Sequence, residues 1–131
     1  MTPVPTKYLK SILREDFLDK LTRDLEPVVF EREFQKLASS DPPKLIKWIE
    51  EGDLSVPQLT FAAEALSKVE SDLACPCLFL LLTHSESLVR EGAVYGLDGH
   101  LEYPGVRELL RTVAEYDIRE GVRLAASEAL R

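Results

Sequence analysis

Read for hydrophobic and polar positions alone, the chain is helical from end to end. Tyr8, Leu9, Ile12 and Leu13, then Phe17, Leu18, Leu21 and Leu25, recur at three- and four-residue spacing, the mark of an amphipathic helix. Pro27 suits the first turn of a second helix, whose apolar face is Val28, Phe30, Phe34 and Leu37. Asp41 is placed to cap a third that begins at Pro42, buries Leu45, Trp48 and Ile49, and stops at Gly52. Ser55 and Gln58 have capping-box spacing ahead of the stripe Val56, Leu59, Ala62, Ala63 and Leu66. The next helix starts near residues 72–76 and runs through Leu82, apolar on nearly every side, as for an element packed between neighbours. Helices are then expected over residues 86–97, from Pro104 with the stripe Val106, Leu109, Leu110 and Val113, and from Asp117 to the end with the stripe Val122, Ala126 and Leu130.

Part of this pattern repeats. Val89-Arg90, followed by Gly92, Ala93, Gly96 and Leu97, returns as Val122-Arg123, followed by Ala125, Ala126, Ala129 and Leu130. A copy without the arginine ends at Leu66, so Leu66, Leu97 and Leu130 lie 31 and 33 residues apart. A period of that size belongs to stacked helical hairpins. Gly92 and Gly96 inside a helix cost about 1 kcal/mol each against Ala, which predicts that another helix approaches closely there.

These residues resemble HEAT repeats, in particular the short HEAT-like units of about thirty residues also found in phycobilin lyases. The likeness lies in Val89-Arg90 with Ala93 and Leu97, in Val122-Arg123 with Ala126, Ala129 and Leu130, and in Pro104, Val106, Leu109 and Leu110. It implies an all-α fold, a right-handed α-solenoid of seven or eight helices whose curved surface binds protein. It also implies that Arg90 and Arg123 are structural, each bonded to an acidic residue of an adjacent turn; Leu59 replaces them in the first copy. The expected organisation is one domain over residues 1–131. Residues 1–26 form an N-terminal helical cap, residues 27–52 a degenerate hairpin and residues 55–131 the HEAT-like repeats.

Composition narrows the function. Sixteen Lys and Arg against 23 Asp and Glu leave a formal net charge of -7, opposed to neutralising phosphates and so to nucleic acid or an anionic membrane surface. Residues 1–51 contribute -1 of this and residues 52–131 contribute -6, so the repeats carry the excess and a basic protein is their natural complement. The start, Met1-Thr2-Pro3-Val4-Pro5, runs into charged residues without the apolar stretch of a signal peptide, and the longest apolar run, residues 78–82, is too short to cross a bilayer. With Cys75 and Cys77 too close for a normal disulfide within a helix, the expectation is a cytoplasmic protein.

Catalytic chemistry has little to stand on. Cys75, Cys77, His84 and His100 are the residues a soft metal would need, but Cys-Pro-Cys at a helix start turns its two thiols apart, and small buried cysteines explain it better. Ser85 and Ser87 beside His84 read as helix caps rather than nucleophiles, and neither histidine is followed by the Glu of the His-Glu pairs used by a HEAT-like hydroxylase. No catalytic residue, metal or cofactor is therefore expected. The leading reading is a non-enzymatic scaffold that binds a basic protein, one concrete form being an immunity or antitoxin-type inhibitor; the alternatives are a small lyase-like enzyme or metalloprotein and a self-assembling structural protein. If Pro76 and Pro104 align their helices, Phe79 and Leu80 occupy the outward positions of Arg107 and Glu108. The binding strip predicted on that basis combines Phe79 and Leu80 with the acidic positions Glu86, Glu102, Glu108, Glu115 and Asp117.

Overall fold

A computed structural model describes residues 27–131. The expected cap over residues 1–26 lies outside the described residues. Within them the chain is all-α: α1 (Pro27–Ser40), α2 (Pro42–Glu51), α3 (Val56–Ala65) continued by a 3-10 turn (Leu66–Lys68), α4 (Ser71–Leu81), α5 (Ser87–Asp98), α6 (Val106–Tyr116) and α7 (Glu120–Ala129), with no strand among the described residues. No helix there is long and apolar enough to cross a membrane.

Local chemistry sets the boundaries. The Asp41 carboxylate accepts from the Lys44 amide, and Gly52 ends α2 at φ 78°, a left-handed conformation that favours glycine. Ser55 and Gln58 close the capping box in both directions, at 3.3 and 2.8 Å. Three starts differ from the sequence expectation. Pro104 lies in a turn, and Gly105 at φ 90° precedes α6. Asp117 stands outside α7, which begins at Glu120. Neither Ser85 nor Ser87 caps α5; instead His84 Nδ1 accepts the Glu86 amide at 3.0 Å.

The odd-numbered helices pack in sequence, α1 on α3, α3 on α5 and α5 on α7, while α2 contacts α4 and α6 packs against α7. The continuous core comes from the faces read as apolar: Phe34, Leu45, Leu59, Leu66, Leu78, Val89, Leu97, Val106, Leu110 and Val122 are buried. Glycine decides how closely α5 approaches α3. A Cβ on Gly92 would stand 2.7 Å from the Thr60 carbonyl oxygen, and one on Gly96 would stand 2.5 Å from that of Ala63. The repeated helix α7 has Ala125 and Ala129 at the corresponding positions, both buried.

Candidate protein-binding surface

Arg90 ties two turns together. Its guanidinium grips the Asp117 carboxylate with two hydrogen bonds, Nε at 2.9 Å and Nη2 at 3.1 Å, and Nη1 donates to the carbonyls of His84 and Ser85 at 2.8 and 3.1 Å. Both side chains are more than nine-tenths buried. Burial opposes ionisation of Asp117, but the hydrogen bonds from Arg90 and the Arg119 amide, with the charges of Arg90 and Arg123, outweigh it and hold this carboxyl below its ordinary value. Arg123 donates to the Asp117 carbonyl oxygen rather than to a carboxylate, so the two repeat arginines converge on one residue.

Of the predicted strip, Asp117 thus has its carboxylate paired with Arg90 and mostly buried. Phe79 is half-buried, packed on the core with its ring 6.2 Å from that of Tyr103. Leu80 is exposed, on a stripe of α4 with Leu73 and Pro76. Glu86, Glu108 and Glu115 are exposed, and Glu102 is exposed but paired with Arg107 at 2.7 Å. The predicted residues are thus divided among α4, α6 and three turns, those of Glu86, Glu102 and Asp117.

Of the four residues that a soft metal would have needed, the two cysteines are buried and the two histidines are hydrogen-bonded. Cys75 and Cys77 are buried, and burial followed by the charge of Asp72 or Glu50 pushes each thiol up to about 11, so both stay protonated at neutral pH. His100 is buried between the Ser71 hydroxyl, 2.7 Å from Nδ1, and the Leu66 carbonyl, 2.8 Å from Nε2. A carbonyl only accepts, so Nε2 carries the proton, and the ring joins the 3-10 turn and the start of α4 to the end of α5. Among the described residues no group of three His, Cys, Asp or Glu is placed to hold a metal ion.

A different surface brings charge together. On α5, Leu88, Glu91 and Tyr95 follow one another at helical spacing on one face, and the Tyr95 hydroxyl donates to Glu91 at 3.1 Å. Burial, that hydrogen bond and the charges of Glu91, Glu128 and Glu64 raise the Tyr95 phenol above its ordinary value. Burial, then the charges of Glu31 and Glu91, raise the Glu64 carboxyl likewise. Glu31 and Glu91 are thus near enough to act on Glu64 through their charges, and Glu64, Glu91 and Glu128 near enough to act on Tyr95, one carboxylate coming from each of α1, α3, α5 and α7. Among the described residues none of the four pairs with a Lys or Arg; the ion pairs are Lys36 with Glu33, Lys47 with Glu51, Arg90 with Asp117 and Arg107 with Glu102. Apolar side chains accompany the four carboxylates: Leu88, Tyr95 and Leu124 are 55%, 43% and 56% exposed.

The sequence held a signal for two of these carboxylates and for Tyr95 between them. Glu64, Tyr95 and Glu128 each lie two residues before a repeat leucine, so they share the 31- and 33-residue spacing of Leu66, Leu97 and Leu130. Comparing the repeats at their apolar positions passes over it.

The raised Glu64 carboxyl gives a test. A carboxyl whose folded value is raised stabilises the fold only while protonated, and that contribution is lost as pH rises through the folded value. The ionised Glu64 carboxylate is thus destabilising at neutral pH, first through its burial and then through the charges of Glu31 and Glu91. Glu64→Gln should raise the melting temperature at neutral pH and lose that advantage below about pH 4, where the carboxyl is protonated folded or unfolded; equal melting of the two proteins at neutral pH would show that the ionised carboxylate costs nothing.

Comparison of the chain with protein-family models, with curated proteins and with solved structures returns no match.

Proposed function

We propose that the chain is a non-enzymatic protein-binding scaffold, a HEAT-like α-solenoid of stacked hairpins that acts in the cytoplasm and recognises a basic protein through the face of α1, α3, α5 and α7. The observation that carries this reading is the group Glu31, Glu64, Glu91 and Glu128, which has no cationic partner among the described residues and is flanked by exposed Leu88, Tyr95 and Leu124. Like charges gathered without a counterion among the described residues cost stability, and a basic partner would relieve that cost. The apolar side chains add the contact area that charge lacks. Inhibition of a toxin by covering its basic surface is one form such binding takes, and the net charge of -7 suits it.

The test is capture from an extract of the source cell with the wild-type chain and with the variant carrying Gln at positions 31, 64, 91 and 128. The captured protein is then purified and its kinetics measured on a sensor surface. Neutralising these four positions should slow association and flatten its dependence on salt. A partner that binds both proteins equally, or is lost instead on neutralising Glu86, Glu102, Glu108 and Glu115, would overturn the assignment of the face.

A further inference from the structure

α4 is apolar on every side, with Asp72 its one charged residue, yet it is covered only in part. Ala74, Cys75, Cys77, Leu78 and Leu81 are buried, whereas Leu73 and Leu80 are 44% and 68% exposed and Pro76 between them is exposed too. A helix apolar all round belongs in an interior, and the helices beside α4 say what completes it. The odd-numbered helices pack in sequence, with α2 on α1 and α3, α4 on α5 and α6 on α7, so α2, α4 and α6 follow one another in a second layer. α2 packs directly on α4, and Phe79 of α4 meets Tyr103 in the turn before α6. Each helix of this layer buries two residues four apart: Leu45 and Ile49, Ala74 and Leu78, Val106 and Leu110. Matched on those pairs, the positions two and six places after the first residue point away from the core. They are Lys47 and Glu51 on α2, Pro76 and Leu80 on α4, and Glu108 and Thr112 on α6, all of them exposed. Three residues earlier, Lys44 of α2 matches Leu73 of α4 and lies over the Trp48 ring, 5.4 Å from its centre. Arg107, next to Glu108, is taken by Glu102 at 2.7 Å. The apolar stripe of α4 thus has lysine on one side and an exposed carboxylate on the other.

Such a pattern is complementary to itself. A twofold axis running along α4 sets the stripe against the same stripe of a second copy and carries α2 of each copy over α6 of the other, lysine over carboxylate. An axis running across the helices would lay α2 on α2 and α6 on α6, like charge on like. We propose that the chain forms a twofold homodimer through Leu73, Pro76 and Leu80 of α4, with Lys47 of each copy against Glu108 of the other. Leu73 and Leu80 stand seven residues apart with Pro76 three after the first, the spacing at which two parallel helices meet along one seam. Lys47 pairs with Glu51 at 3.7 Å within α2, and an exposed contact of that kind is worth little, so turning to Glu108 costs little. The dimer uses none of the residues of the face assigned to the basic partner, and the two readings stand or fall separately.

The experiment is sedimentation of the full chain over about a hundredfold range of concentration. The face is three short helices wide, at the small end of stable interfaces, so the expected result is a dimer that dissociates in the micromolar range. Leu80→Lys should leave a monomer. Lys47→Glu and Glu108→Lys should each weaken the dimer by about tenfold, because each variant by itself sets like charges against one another in both contacts. An equimolar mixture of those two variants should recover the dimer, since both contacts then join opposite charges. All three positions are exposed, and melting temperatures measured alongside show that each variant is folded. A chain that is monomeric at every concentration, a dimer that survives Leu80→Lys, or a mixture that associates no better than its components would each overturn the proposal. A monomer that captures another protein, and loses it on Leu80→Lys, would assign the stripe to that protein and overturn the second copy as well.

Discussion

Asp117→Ala should lower stability by about 3 kcal/mol, because it leaves the Arg90 guanidinium buried without a counter-charge. The pair is more than nine-tenths buried and bidentate, and removing one partner of such a pair exposes the desolvation cost of the other. Arg90 would keep its bonds to the His84 and Ser85 carbonyls, which places the loss at the lower end of the range for broken buried pairs. Arg90→Ala frees those two carbonyls as well as Asp117, and the double variant should lose less than the sum of the two single losses. The pH dependence has a definite sign. A carboxyl held below its unfolded value of 3.8 stabilises the fold above that value and loses the contribution as pH falls through its folded value. The gap in denaturant midpoint between wild type and Asp117→Ala should thus hold from neutral pH down to mild acid and narrow below about pH 4. A gap that does not depend on pH would mean that Asp117 acts through its turn geometry, by accepting from the Arg119 amide, and not through its charge.

Gly96→Leu should be comparably damaging for a different reason. The first side-chain atom would meet the Ala63 carbonyl oxygen at 2.5 Å and a methyl of Leu78 at 2.7 Å, and Leu78 is fully buried. Backbone cannot turn aside as a flexible side chain does, so α5 must move off α3 and open the contact that runs along both helices. Overpacking of this kind costs typically about 1–3 kcal/mol. Even Gly96→Ala should destabilise, although alanine favours a helix over glycine by about 1 kcal/mol. Gly121→Ala is the control: its Cβ would find only the Glu91 carboxylate, at 3.9 Å, and the propensity gain should appear undiminished. Equal denaturation midpoints for Gly96→Leu and the parent would refute the close approach.

Much of the architecture was legible because it depends on near neighbours in the chain. Asp41, Gly52 and the Ser55 and Gln58 box act within four residues of themselves, and periodic apolar positions name the buried face of a helix whatever it packs against. Gly92 and Gly96 announced a close contact because their helical cost needs compensation. The site was less legible. Phe79 read as outward from the alignment of two prolines, but Pro76 sits inside α4 whereas Pro104 precedes α6, so the two helices are not in the same register and Phe79 turns toward Tyr103.

What the sequence determined by itself is the all-α class, the order of the helices, the 31- and 33-residue period and the acidic balance of the repeat half, all of them consequences of residue type and spacing along one chain. Only the tertiary structure decided which carboxylates are surface charge. Asp117 and Glu91 are both acidic residues beside a repeat arginine or its helix, yet one is folded against Arg90 and the other accepts from Tyr95 and adds its charge to those acting on Glu64. The reason is physical: the charge a group presents depends on what lies across from it, and those partners come from helices about thirty residues away in the chain.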